Sequence, residues 1–195
     1  MLASGKGSNL QALLDDPAVR PSIALVVSDR EASGALLRAE DAGVATIFLD
    51  PKAYETRDAY DRALLDILTV ENIEHVVLAG FMRILSAQLV RAYEGRLLNV
   101  HPALLPAFPG PHAVRDALEW GAKVTGVTVH FVDEEVDHGP IVLQEAVAVE
   151  PGDDLDSLHA RIQEVEHRLY PLALRLLIEG KLSVEGRLVH VLEGA

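Results

Sequence analysis

The chain has 195 residues, with 30 acidic and 17 basic side chains, a formal charge of −13 and a hydrophobic content of 49%. That composition is globular, not disordered, and so negative a field repels nucleic acid and anionic membrane surfaces. The absence of cysteine removes disulfides, thiolate nucleophiles, thiolate zinc sites and iron–sulfur clusters.

Residues 1–3 run straight into Ser4-Gly5-Lys6-Gly7-Ser8-Asn9. A glycine loop of this kind ordinarily follows a strand of about five residues. The first strand is therefore either a stub or begins upstream of Met1. Residues 23–27 are a β-branched run that predicts a buried strand, and residues 35–42 have helical spacing with Gly43 as the stop. Residues 44–49 predict a second strand, ended by Asp50-Pro51. Residues 57–71 predict a helix with Ala59, Leu64, Leu65 and Leu68 on one face. Residues 75–79 predict a strand, Ser86 caps a short helix to Tyr93, and residues 96–100 predict the next strand. Beyond residue 122 the pattern changes: 124–132 and 140–149 predict an antiparallel pair around a tight Asp137-His138-Gly139 turn. Asp153 and Asp154 open a long helix to about residue 178, Gly180 ends it, and residues 182–192 form a hairpin around Glu185-Gly186. Trp120 is expected to be a packing residue. Strand–helix alternation followed by an antiparallel pair predicts an α/β fold. Its sheet is mostly parallel and Rossmann-like, a three-layer arrangement with helices on both faces and an antiparallel edge.

The length suits a single domain spanning 1–195. No basic-then-apolar leader opens the chain, and no apolar stretch is long enough to cross a bilayer, so a cytoplasmic protein is expected.

Three segments could carry chemistry. In the loop at 4–9, two glycines allow a tight turn and the following helix presents N–H groups, as at a phosphate site. The spacing is not that of a Walker loop, nor of a full dinucleotide fingerprint. A plain strand-to-helix turn is the other reading. In Leu97-Leu98-Asn99-Val100-His101-Pro102, period two puts Asn99 and His101 on one face at a strand's carboxyl end. Prolines at 102, 106 and 109 stiffen the loop beyond that strand. Asp137 alone reads as a turn aspartate. Beside His101 it would favour imidazolium, raise the histidine's pKa and form a proton-handling pair. His75, His130, His159 and His190 read as structural or surface residues. A metal site from His101, His112, Asp137 and His138 lacks any supporting local spacing, and no metal is expected. Glu166 and His167 read most simply as a solvated helix face.

Gly5-x-Gly7-Ser8-Asn9-Leu10-Gln11, Ala79-Gly80-Phe81-Met82-Arg83-Ile84-Leu85, Asn99-x-His101-Pro102-x-Leu104-Leu105-Pro106 and Asp137-x-Gly139-Pro140 occur in this order. Together they resemble the phosphoribosylglycinamide formyltransferases, folate-dependent enzymes of purine synthesis, over nearly the whole chain. The resemblance implies transfer of a formyl group from 10-formyltetrahydrofolate, as co-substrate, to the amine of glycinamide ribonucleotide. It implies that Gly7, Ser8 and Asn9 hold the ribonucleotide phosphate and that Glu166 contacts the same substrate. Arg57, Met82, Arg83, Ile84, Leu85 and Asn99 would bind the folate. Asn99, His101 and Asp137 would be catalytic, stabilising a tetrahedral intermediate and relaying its proton. The N-terminal half would serve nucleotide binding, and the C-terminal half folate binding and catalysis. Partners would be the two small molecules, with a homodimer left open. The alternatives are a formyltetrahydrofolate deformylase, a methionyl-tRNA formyltransferase and a non-catalytic nucleotide-binding module. Lys6, Pro111, Ala113-Val114 and His138 depart from the family pattern, His138 standing where a small residue is usual beside Asp137.

Overall fold

A computed structural model describes residues 1–192. The chain divides into two compact units, Met1–Leu97 and Leu98–Ala195.

The first unit contains α1 (Ser8–Asp15), β1 (Leu25–Ser28), α2 (Gly34–Asp41), β2 (Ala45–Phe48), α3 (Arg57–Val70), β3 (Val76–Leu78) and α4 (Ala87–Ala92). Three of the helices start where a hydroxyl side chain takes up an orphan N–H. Ser33 Oγ accepts from Leu36 N, Thr56 Oγ1 from Ala59 N, and Ser86 Oγ from Leu89 N. β1 and β2 pair in parallel, Leu25 opposite Ala45. Leu2 bridges Val27 on one side and Leu78 on the other, both in parallel. Residues 1–3 thus act as a strand stub between β1 and β3, held by Leu2 N to Val77 O at 2.9 Å and Val27 N to Met1 O at 2.8 Å. The order is β2, β1, stub, β3. β1 and β3 are wholly buried, whereas β2 is half exposed, as an edge strand should be. α3 buries Tyr60, Asp61, Leu64 and Leu68, while the expected Ala59 and Leu65 are only half-buried. Asp61 is tolerated there because its carboxylate accepts from Ser86 N.

The second unit contains α5 (Ala113–Trp120), β5 (Val124–Phe131), β6 (Ile141–Ala148), α6 (Leu155–Ile178), β7 (Leu182–Glu185) and β8 (Leu188–Val191), with β4 (Leu97–His101) beginning at the boundary. β5 pairs antiparallel with β4 and with β6, with an irregularity at Val129/His130. α6 packs on β5, β6 and α5. A reciprocal capping box between Asp154 and Ser157 starts it. Gly180, at φ 65°, follows its end. β7 and β8 form the expected hairpin, and β8 touches β6.

The α/β class, the parallel pairing and the antiparallel strands are as read from the sequence. Trp120 is a correction: at the last position of α5 it is 82% exposed and packs on nothing substantial. Among the described residues no helix is long and apolar enough to cross a membrane.

Candidate active site

The strand order of the first unit places a topological switch point between residues 1–3 and β3, and ligands of such sheets bind outside the carboxyl ends of the strands there. The glycine loop and the 80–85 run leave from those two ends. They are tied together by Ser4 N donating to Gly80 O at 3.2 Å and Met82 N donating to Ser4 Oγ at 3.1 Å.

Gly7 caps α1 at φ 77°. A side chain there would also meet Ala35 Cα at 2.7 Å. Conformation and space therefore both demand glycine. Gly34 is under the same steric constraint, against Lys6 O at 2.6 Å. Two backbones thus lie in direct contact and hold the loop rigid, with Ser8 and Asn9 as the first two residues of α1. Lys6 lines a groove of 660 Å³ with Arg30 and Arg38, so its charge sits on the α2 side of the loop. Arg38 Nε donates to Lys6 O at 3.0 Å.

In the 80–85 run, Phe81 and Leu85 are buried while Met82 and Ile84 are 60% and 57% exposed. Two apolar side chains facing outward at a switch point suit a flat, partly apolar ligand. The Arg83 guanidinium stacks 4.5 Å over the Tyr60 ring. Arg57, first residue of α3, is half exposed with Nε 3.9 Å from Asp58 Oδ1.

The second cluster lies wholly in the second unit. Asn99 and His101 share a face of β4, and both reach Asp137 in the loop between β5 and β6. Asn99 Nδ2 lies 3.4 Å from Asp137 Oδ1, and His101 Nδ1 lies 3.3 Å from Asp137 Oδ2. Gly110 N donates to Oδ2 at 2.7 Å. Asp137 itself has φ 52°, a strained setting for a non-glycine residue. Gly139, two residues on, admits no Cβ, which would fall 1.9 Å from Phe131 O.

His130 joins this cluster. It stands opposite Asn99 in the β4–β5 ladder and is 2% exposed. Its Nδ1 lies 2.7 Å from Phe131 O, an acceptor, so Nδ1 carries hydrogen. In the neutral ring Nε2 then accepts from Asn99 Nδ2 at 3.2 Å. One amide thus bridges His130 and Asp137, and the carboxylate fixes which way the Asn99 amide points.

His101 is 4% exposed, and its Nε2 lies 2.8 Å from Phe108 O. Both ring nitrogens face acceptors, a setting only imidazolium fully satisfies. Burial nevertheless pushes His101 below its ordinary pKa, outweighing the Asp137 carboxylate and the Phe108 carbonyl, and His130 acts in the same direction as burial. The expected raised pKa is therefore corrected: desolvation of a nearly buried ring exceeds the attraction of its partner. Burial also pushes Asp137 up, but His130, the Gly110 N–H and His101 together outweigh it. The carboxyl sits below its usual range, ionised at neutral pH.

Glu166 is on the buried face of α6 and 5% exposed, not on a solvated face. His138 pairs with Asp133, and His112 stands immediately before α5 without a side-chain capping bond. Among the described residues no cluster of three or more histidines or carboxylates could hold a metal ion. Sequence reasoning missed His130. Its alternation along the predicted strand at 124–132 was the available signal, but only the register sets it against Asn99.

A model of the formyl transferase family matches residues 1–174. Phosphoribosylglycinamide formyltransferase of Escherichia coli (strain K12) is 45% identical over 187 residues, 94% of this chain and 88% of that protein. The trifunctional purine biosynthetic protein adenosine-3 of Bos taurus is 45% identical over 198 residues, 99% of this chain. This chain spans only 20% of that relative's length. The crystal structure of glycinamide ribonucleotide transformylase 1 from Symbiobacterium toebii superposes with a TM-score of 0.95. It is 49% identical, and the match covers 98% of this chain and 92% of that one.

Proposed function

The chain belongs to the formyl transferase family, and from that premise we propose that it moves a formyl group from 10-formyltetrahydrofolate to the amino group of glycinamide ribonucleotide in purine biosynthesis. The observation that carries the reading is the Asn99, His101 and Asp137 cluster, assembled on one strand face and one strained loop. It supplies an amide donor, an imidazole and a carboxylate within reach of one reacting carbonyl.

Gly7, Ser8 and Asn9 hold the substrate phosphate at the N-terminus of α1. The buried carboxylate of Glu166 takes a polar group of the same substrate. Met82 and Ile84 offer apolar surface to the folate ring system. Arg83 and Leu85 shape that run, and Arg57 offers charge to the folate's carboxylates. When the substrate amine attacks the formyl carbon, negative charge grows on the former carbonyl oxygen. Asn99 Nδ2 donates to that oxygen, and His101, protonated, offsets its charge. Nε2–H of His101 must exchange Phe108 O for this purpose. Asp137 stays ionised, stabilises the imidazolium and helps pass the amine proton toward the leaving nitrogen. No metal takes part in any of these steps. The cytoplasm, where small soluble metabolites meet, is the proposed location, with no nucleic acid or membrane partner.

The test is to supply 10-formyltetrahydrofolate with and without glycinamide ribonucleotide and to follow release of tetrahydrofolate. Turnover that requires the amine supports the reading. Equal turnover without it makes the protein a hydrolase, and none in either case leaves a binding module.

A further inference from the structure

Asp137 sits in a loop of constrained geometry: its φ is 52°, and Gly139 two residues on leaves no space for a side chain beside Phe131 O. The hairpin of β7 and β8 reaches that loop from 49 residues away. At its turn, Arg187 Nη2 donates to the backbone oxygen of His138 at 2.7 Å, and Nη1 lies 3.2 Å from His138 Nε2. His138 Nδ1 lies 2.7 Å from Asp133 Oδ2 on the near side of the same loop.

These three groups dictate a protonation pattern. A guanidinium only donates and a carboxylate only accepts. His138 Nδ1 must therefore carry hydrogen and Nε2 must keep its lone pair. The ring is a neutral relay from Arg187 to Asp133, and the guanidinium fork spans the ring and the backbone oxygen of the residue next to Asp137. A planar fork with two anchors restrains orientation as well as distance, which a lysine would not do.

We propose that Arg187 is a positioning residue for Asp137, acting through His138. It restrains the His138–Gly139 peptide and so keeps the carboxylate of the preceding residue between the Gly110 N–H and His101 Nδ1. This rests on Asp137 having the role proposed above.

The experiment compares the parent with Arg187→Ala, Arg187→Lys and His138→Ala in the full chain. Arg187 is at an exposed turn, so each variant is expected to fold. Loosening a catalytic group by a fraction of an ångström should lower kcat of Arg187→Ala roughly tenfold, with KM for both substrates within about twofold. Arg187→Lys should recover part of kcat, since it keeps one donor for the carbonyl. His138→Ala should lose less than Arg187→Ala, because the bond to the residue-138 oxygen survives. Independently of activity, 15N NMR should find His138 as the Nδ1–H tautomer in the parent, and in Arg187→Ala the Nε2 resonance should move as it loses the guanidinium donor while Asp133 keeps the hydrogen on Nδ1. A kcat for Arg187→Ala within about twofold of the parent overturns the proposal, as does a loss that simply follows a fall in Tm. If the parent transfers no formyl group, the proposed function fails first. The His138 Nε2 resonance then still decides the relay, and an unchanged Nε2 resonance in Arg187→Ala overturns it.

Discussion

Replacing Asp137 by asparagine tests the electrostatic core of the mechanism, because it removes charge while preserving shape. The asparagine oxygen can still accept from Gly110 N, so the loop keeps that anchor, while the new NH2 replaces the oxygen that accepts from Asn99 Nδ2. The larger loss is the charge 3.3 Å from His101 Nδ1. At an effective dielectric of about 20, a unit pair at that distance is worth about 5 kcal/mol. If half to two-thirds of this is felt by the imidazolium in the transition state, kcat falls roughly 70- to 300-fold. Substrate binding touches neither charge strongly, so KM should change little. The assay is steady-state formyl transfer across pH, with a thermal melt alongside. Since burial already holds His101 below its ordinary pKa, the variant should shift any His101-dependent limb of the rate profile further to acid. A folded Asp137→Asn protein with turnover within about threefold of the parent would refute the reasoning.

Gly139→Ala forces a Cβ to 1.9 Å from Phe131 O, so the loop must move. It should cost kcat far more than it costs KM, and a variant with parental kcat would show that the loop's conformation is dispensable. Gly7→Ala meets both a positive φ and Ala35 Cα at 2.7 Å. It should destabilise the fold by about 1–3 kcal/mol and raise KM for the ribonucleotide above all, measured by denaturation and by kinetics with each substrate varied in turn. Burial holds His75, His101 and His167 below the ordinary histidine value. The unfolded chain therefore binds protons first as pH falls, and stability should decline on acidification from about pH 6.5 downward. Asp137, held below its usual range, adds a further loss only at more acidic pH, as it protonates. A urea midpoint that rises as pH is lowered from 8 to 5 would contradict this sign.

Much of the fold is legible in the sequence because it is local. Ser33, Thr56 and Ser86 cap their helices by chemistry confined to four residues, and the Asn99–His101 pairing on one face follows from the pleat alone. The closing of Asp137 onto that pair is not local. It depends on the length of β5 and β6 and on a loop conformation that Gly139 permits, neither of which a turn motif specifies. His130 escapes a sequence reading for the same reason: its significance lies in standing opposite Asn99, and register is a property of two strands. The direction of the His101 pKa is misread from sequence because the carboxylate is visible there and the depth of burial is not. The size of Trp120 misleads in a similar way, since a tryptophan at the last turn of a helix can point away from every neighbour.

The Asn99 amide, shared between His130 Nε2 and Asp137 Oδ1, bears on selectivity between ground and transition states. Its two hydrogens are already committed, one of them to an anion. A neutral formyl oxygen is a poorer acceptor than a carboxylate and gains little by competing for it. An oxyanion competes on equal terms. In the proposed mechanism the donor is surrendered as charge develops and reclaimed when the charge is gone. This is a stabilisation that the bound substrate scarcely feels and the barrier feels in full, achieved through a rivalry between acceptors and not through any tighter grip on the substrate.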